Sequence, residues 1–295
     1  ILFTMSACTN LDGNKWSKFR GNLGNTGYYE GKAPVELTNI KWKFETDNEI
    51  NSSPAVADGI VFFGSNDKYF YAVDKITGQE KWKFKTEGYI YTSPAVVGGI
   101  VLFGNDKNYL YALDIKTGQE KWKFKTDGYV RSSPAVAEGL VYFGSDDNYL
   151  YALDIQTGQE KWKFKTDGYV RSSPALADGV VFFGSFDNYL YAINEQTGQE
   201  KWKFKTEGYV GSSPAVADGD VLFGSFDNYL YALNEKTGQE KWKFKTGNSI
   251  NSSPAVANGI VFFGSFDKYF YALDVKTGQE KWKFKTGNSY MWSSP

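Results

Sequence analysis

The sequence predicts an all-β chain folded as a β-propeller of four-stranded antiparallel blades, and three observations carry that prediction. The first is a fixed period. The stretch Thr77-Gly78-Gln79-Glu80-Lys81-Trp82-Lys83-Phe84-Lys85-Thr86 returns unchanged at 117–126, 157–166, 197–206, 237–246 and 277–286. A worn copy, Lys41-Trp42-Lys43-Phe44-Glu45-Thr46, precedes it. Tryptophan thus recurs every 40 residues, at Trp42, Trp82, Trp122, Trp162, Trp202, Trp242 and Trp282, and such a period marks a repeat architecture. The second observation is that each unit holds four short runs of β-branched and aromatic residues, the composition of strands. In the first unit these are 52–57, 59–64, 69–74 and 80–86. The third is that Asp58-Gly59, Asn66-Asp67 and Thr77-Gly78-Gln79 part the runs, and these are turn formers: glycine takes positive φ cheaply, and Asp or Asn bonds its own local backbone. No window shows the apolar spacing of a helix.

The elements follow in order. Ile1-Leu2-Phe3-Thr4-Met5-Ser6-Ala7-Cys8 is apolar, then small, then cysteine. It resembles the end of a bacterial lipoprotein signal peptide, which implies lipidation at Cys8 and an extracytoplasmic, membrane-anchored protein in the periplasm or at the cell surface. Met5 departs from that pattern and the charged start is missing, so a frayed apolar terminus with a stray thiol is the other reading. Residues 1–13 are assigned to this remnant and its tether, and residues 14–295 to one propeller domain. A leader, Trp16-Ser17-Lys18-Phe19-Arg20-Gly21-Asn22 with Asn25-Thr26-Gly27, is expected across one face or rim of the ring. A lone outer strand follows at 36–46. Six complete units come next, at 47–86, 87–126, 127–166, 167–206, 207–246 and 247–286. Residues 287–295 then restart an inner strand. The expectation is six complete blades plus an incomplete seventh shared by the two termini, with six closed blades as the alternative.

The last strand of each unit explains the tryptophan. Alternation sends Trp82 and Phe84 to one face and Lys81, Lys83 and Lys85 to the other. The indole is large enough to dock one blade on the next. The lysines blunt an outer edge that would otherwise recruit another sheet. All seven tryptophans are therefore read as blade-docking residues.

Ala72-x-Asp74-x-x-Thr77-Gly78-x-x-x-Trp82 resembles the tryptophan-docking motif of pyrroloquinoline-quinone-like propeller repeats. It recurs through Ala112–Trp122, Ala152–Trp162, Ala192–Trp202, Ala232–Trp242 and Ala272–Trp282, with Asn194 and Asn234 in place of the aspartate. The resemblance spans about residues 14–295 and implies that Ala and Gly pack against the tryptophan of an adjacent blade. The chain also resembles the non-enzymatic propeller lipoproteins of the bacterial outer-membrane β-barrel assembly machinery, which bind a partner through their loops.

Composition excludes several chemistries. The chain has 295 residues, a net charge of −1, no histidine and one cysteine. Phosphate neutralisation of a nucleic acid is disfavoured. Histidine-dependent triads, histidine metal sites, intrachain disulfides and CxxC centres are ruled out. With 41% hydrophobic and 18% aromatic residues, a large core is assured and disorder is not expected.

Whatever the fold requires is the same in every unit, so function belongs where units differ. One variable column precedes the inner strand: Asn51, Tyr91, Arg131, Arg171, Gly211 and Asn251. Beside it run Glu49, Tyr89, Tyr129, Tyr169, Tyr209 and Ser249. These positions belong near the mouth of the central channel. Of them Asn51, Tyr89, Tyr91, Tyr129, Arg131, Tyr169, Arg171, Tyr209 and Asn251 are the binding candidates. Arg131 and Arg171 would form a positive arc suited to carboxylate or phosphate, and the tyrosines offer flat contact area; ordinary solvated loop variation is the alternative. A second column, Asn66, Asp106, Asp146, Phe186, Phe226 and Phe266, supplies either an apolar patch or packing between blades. Asp67, Asp147, Asp187, Asp227 and Asp267 lack the ligand density of a calcium loop and are expected to bond turn backbone.

The expected function is a non-catalytic, extracytoplasmic protein-interaction scaffold with protein partners in the cell envelope, membrane contact through a lipid on Cys8, and no nucleic acid. No catalytic residue, metal or cofactor is assigned. A small-ligand or glycan binder is the alternative. A quinone-dependent dehydrogenase is the third reading. Relatives of that kind have a longer chain, a calcium site and an aspartate base, none of which maps here.

Overall fold

A computed structural model of the chain describes residues 2–6, 22, 24–26 and 40–287. β1 (Leu2–Ser6) pairs with β2 (Ile40–Glu45), and six four-stranded sheets follow among the described residues. The first sheet contains β3 (Ala55–Ala57), β4 (Ile60–Gly64), β5 (Tyr69–Asp74) and β6 (Glu80–Lys85), joined in sequence as an antiparallel meander. Five further blades repeat this order, and successive inner strands touch, from β3 to Ala95–Val97 and on round to Ala255–Ala257. The fold is a β-propeller of PQQ-like blades. None of the described residues is helical, so none forms a helix long and apolar enough to cross a membrane.

The inner strand is shorter than its apolar run. Pro54 lacks an N–H, and the Ser52 hydroxyl both donates to Gly64 O and accepts from Gly64 N, each at 2.9 Å. Side chain thus replaces ladder over 52–54. The serine at the next position builds a belt that was not anticipated. The Ser53 N–H donates to Ser93 Oγ, Ser93 to Ser133, Ser133 to Ser173, Ser173 to Ser213 and Ser213 to Ser253, at 2.9–3.0 Å.

The cores lie between blades. One cluster joins Ala55, Phe62, Phe70 and Ala72 of the first blade to Val101, Phe103, Tyr111 and Leu113 of the second, with Trp82 and Phe84 packed against it. The seam is pinned by the indole: Trp82 Nε1 donates to Ile115 O at 3.0 Å, and a Cβ on Gly118 would lie 2.7 Å from the ring. The same hydrogen bond runs from Trp42 to Lys75, Trp122 to Ile155, Trp162 to Glu195, Trp202 to Glu235 and Trp242 to Val275. Docking through Gly and Trp is therefore seen at six seams. Trp282 departs from it. Its ring is 45% exposed, beside an exposed Phe284, and no seat covers it among the described residues.

Four of the six blade turns are held by an aspartate and two by an asparagine. Asp74 Oδ1 accepts the backbone N–H groups of Ile76 and Thr77 and the Thr77 hydroxyl. The Thr77 and Ile76 amides, with Lys81, pull its carboxyl down to about 2. Asp114 is lowered chiefly by the Thr117 N–H, Asp154 by the Thr157 hydroxyl and Asp274 by Lys281. A depressed carboxyl stabilises the fold above its ordinary value of 3.8 and loses that contribution as pH falls through its folded value. The thermal midpoint should therefore drop as pH falls from about 4 to about 2. Asn194 Oδ1 accepts the same three bonds without charge. Replacing the four aspartates by asparagine should keep the turns and flatten the drop, measured by melting across that window; an unchanged pH profile would refute the assignment.

Two features concern the termini. β1 takes the place of a third strand on β2: Phe3 faces Phe44 and Met5 faces Trp42, with the register shift where the first blade has its own. Of the leader, Gly24 O accepts from Leu176 N at 2.7 Å, Thr26 O accepts from Val216 N at 2.8 Å, and the buried Asn25 side chain donates to Pro134 O. Where a course across one face or rim was expected, the described leader residues meet the channel-lining inner strands of three blades, whose edges bond them through the amides of Leu176 and Val216 and the carbonyl of Pro134. Cys8 and the closing stretch 288–295 lie outside the described residues.

Candidate channel-mouth site

The two variable columns, separate in sequence, are neighbours in space. Backbone bonds join them in each blade: Asn66 N to Glu49 O, Asp106 N to Tyr89 O, Asp146 N to Tyr129 O, Phe186 N to Tyr169 O, Phe226 N to Tyr209 O and Phe266 N to Ser249 O. The innermost strand begins just beyond, so both columns crown one end of the channel. Tyr89, Tyr129, Tyr169 and Tyr209 are 40–50% exposed. The repeat tyrosines of the third strands, such as Tyr71 and Tyr151, are buried instead, and donate to Asp67 and Asp147 at 2.8 Å. Burial first, then the aspartate, pushes both phenols up. These aspartates also accept turn amides, which is the role expected of them.

The mouth has two halves. Over blades four to six it is apolar. Phe186 stacks on Tyr209 of the next blade at 5.1 Å with planes 4° apart, and Phe226 meets Phe186, Tyr209 and Phe266 at 6.1–6.5 Å. A Cβ on Gly211 would lie 3.3 Å from Phe186, so the missing side chain is what lets the rings fold inward. The phenylalanines do both things proposed for them: they pack between blades and stay half-exposed. They belong with the site, and the signal for them was the second variable column.

Over blades one to three the mouth is polar. Tyr89 and Tyr91 meet edge to face at 6.2 Å, Asn51 donates to Glu49 at 3.4 Å, and Asn251 lies across the ring beside Gly211. The two arginines are not equivalent, so the positive arc must be corrected. Arg171 forks onto Asp146, with Nε and Nη2 each at 2.9 Å from a carboxylate oxygen, and is thereby neutralised. Arg131 lies 4.9 Å from the Tyr129 centroid and 5.6 Å from that of Tyr91. Its Nε is buried with no acceptor, and no described carboxylate pairs with it. The cause is local. Blade two has Lys107 where the others have an aspartate. Asp106 turns back to accept Tyr89 N at 2.7 Å instead of reaching Arg131. The mouth therefore presents one spare guanidinium among the described residues, within cation–π distance of two phenols.

No three His, Cys, Asp or Glu side chains converge as a metal site among the described residues. The chemistry on offer is contact: an arginine fork, exposed phenols and an aromatic shelf.

Among solved structures the chain is similar to BamB from Moraxella catarrhalis (18% identity, TM-score 0.76, covering 85% of this chain and 81% of that one). It is similar as well to a europium-containing methanol dehydrogenase (15% identity, TM-score 0.83, 95% and 86% covered). A third is the quinohemoprotein alcohol dehydrogenase ADHIIG from Pseudomonas putida HK5 (17% identity, TM-score 0.78, 88% and 64% covered). At these identities the likeness shows the fold alone, and the neighbours include enzymes. No significant match came from the curated proteins. The family described as outer membrane protein assembly factor BamB matches residues 37–123, 85–203 and 186–293. With nearly all of the described ring matched, the chain belongs to that family.

Proposed function

We propose that this chain is a non-catalytic, extracytoplasmic protein-interaction scaffold, anchored by a lipid on Cys8, whose channel mouth docks a protein partner of the cell envelope. The observation that carries the reading is the arc of half-exposed tyrosines, Tyr89, Tyr129, Tyr169 and Tyr209, beside one spare guanidinium, on a scaffold that buries the second tyrosine of each third strand. Arg131 suits a carboxylate of the partner, and the Phe186–Tyr209–Phe226 shelf suits an apolar side chain beside it. Family membership supports the same reading. If the chain is cleaved before Cys8, β1 is lost and β2 stays docked through Trp42 and Phe44.

The test is crosslinking and co-purification from solubilised membranes. Wild-type chain should retain a stoichiometric partner. Arg131→Ala with Tyr129→Ala and Tyr209→Ala should lose it by about tenfold or more with an unchanged melting midpoint, and Cys8→Ser should leave the membrane pellet. Retention of the partner by the triple variant would refute the mouth as the docking face. Alcohol-dependent dye reduction after adding the quinone and calcium would refute the non-catalytic part.

A further inference from the structure

The outer strands carry a charge pattern that edge protection does not account for. Each of six copies of Glu-Lys-Trp-Lys-Phe-Lys has three lysines and one glutamate, two net positive charges per blade, on a chain whose net charge is −1. The structure sorts these lysines. Lys83 pairs with Glu80 at 3.5 Å, and Lys81 with Asp74 at 3.2 Å. The third, Lys85, has no carboxylate among the described residues, and neither do Lys125, Lys165, Lys205, Lys245 or Lys285. All six are exposed. Lys85 and Lys245 lie 5.8–5.9 Å from the rings of Tyr69 and Tyr229, a mix of ammonium and half-buried phenol suited to a polar–apolar boundary. Apart from the outer-strand glutamates, exposed acids sit elsewhere: Asp47, Glu87, Asp127, Asp167 and Glu207 on the mouth side, and Asp58, Glu138, Asp178 and Asp218 on the hairpins at the other end of the channel.

The ring therefore has a basic rim between two acidic faces. We infer that this rim is a docking surface for anionic lipid headgroups, on which the propeller stands edge-on with its mouth turned along the membrane. The inference rests on the membrane placement proposed above. Either flat face would bring carboxylates against lipid phosphate, whereas the rim brings unpaired lysines within a Debye length of about 8 Å. A polybasic surface adds attraction to anionic headgroups beside whatever a lipid anchor supplies. Edge-on contact also leaves Arg131 and the aromatic shelf open to a partner.

The experiment uses full-length chain with Cys8→Ser, which cannot be lipidated, so that the rim is tested apart from the anchor. Co-sedimentation is measured with phosphatidylglycerol–phosphatidylcholine vesicles and with phosphatidylcholine alone. Binding is expected to the anionic vesicles only, and to weaken with salt. Replacing Lys85, Lys125, Lys165, Lys205, Lys245 and Lys285 by glutamine should lower the partition coefficient by about tenfold or more, while the arginine variant at the same six positions keeps it. Melting curves confirm that the glutamine variant folds; if it does not, the salt and arginine arms decide alone. Equal binding to both vesicle types, a glutamine variant that binds like the parent, or capture by a soluble polyanion without vesicle binding would each overturn the inference. Loss of membrane retention of the Cys8→Ser chain in cells, with vesicle binding intact, would fault neither claim; unchanged retention together with failed vesicle binding would fault both.

Discussion

Trp162→Ala should destabilise the ring by about 3 kcal/mol, and Trp282→Ala by about 1 kcal/mol or less. Both tryptophans sit in the same decapeptide, so strand propensity and local charge are matched. They differ in what lies opposite. Trp162 packs on the cluster that joins Tyr142, Leu150 and Ala152 to Val181, Phe183 and Tyr191 of the next blade. It also donates to Glu195 O at 3.1 Å. Truncation opens a cavity at a seam and leaves that carbonyl dependent on a single long bond from Tyr142, at 3.3 Å. Among the described residues Trp282 meets the rings of Phe262 and Phe270 of its own blade, at 6.0 and 6.1 Å, and no neighbouring blade seats its other side. Denaturant midpoints at constant slope would measure both. Equal losses would mean that Trp282 is seated too and that a closing blade covers it.

Gly158→Ala should cost about 2–5 kcal/mol, against about 1–2 for Gly179→Ala. Both glycines hold positive φ, +70° and +73°, so alanine meets the same left-handed strain at each. Nothing lies within 4 Å of a Cβ at Gly179, whereas a Cβ at Gly158 would stand 2.7 Å from the Trp122 ring. The extra cost is overpacking, because the indole is held by its bond to Ile155 O at 3.0 Å and cannot swing away. Denaturant titration of the two variants gives the difference directly. Similar losses would show that the seat yields, and that the glycine serves the turn alone.

The blade was legible because its signals are local. Runs of alternating aromatic residues, Asp-Gly turns and Thr-Gly-Gln corners dictate strands and turns within a few residues of themselves, and six repetitions left no ambiguity. Trp docking was legible for a related reason: an indole recurring at one register position must meet the same surface each time. The mouth was half legible. Variation among copies located both columns, yet not their adjacency, which comes from backbone bonds such as Phe186 N to Tyr169 O. The two arginines looked alike in sequence. Only the fold showed Asp146 reaching Arg171 while Asp106 was drawn to the Tyr89 amide.

Other features had no local signal. Glu195 and Asp220 carry charged side chains, yet both are buried. Glu195 accepts the Tyr142 hydroxyl at 3.4 Å across a seam, burial raises its carboxyl, and Asp220 pairs with Lys241. Tyr142 and Glu195 stand 53 positions apart, on different blades, and Lys241 reaches Asp220 from the far edge of the same blade. The leader is similar. Its amino acids say polar connector, and only the free amides of the inner strands show where Gly24 and Thr26 bond.

Sequence alone determined the repeat, the strands, the turns and the indole wedge, because each follows from the side-chain alternation and backbone preferences of neighbouring residues. Tertiary structure decided which charges are spent and which remain. A charge is cancelled by whatever the fold brings near it: the partners of Arg171 and Glu195 come from the neighbouring blade, and that of Asp220 from the outer strand of its own.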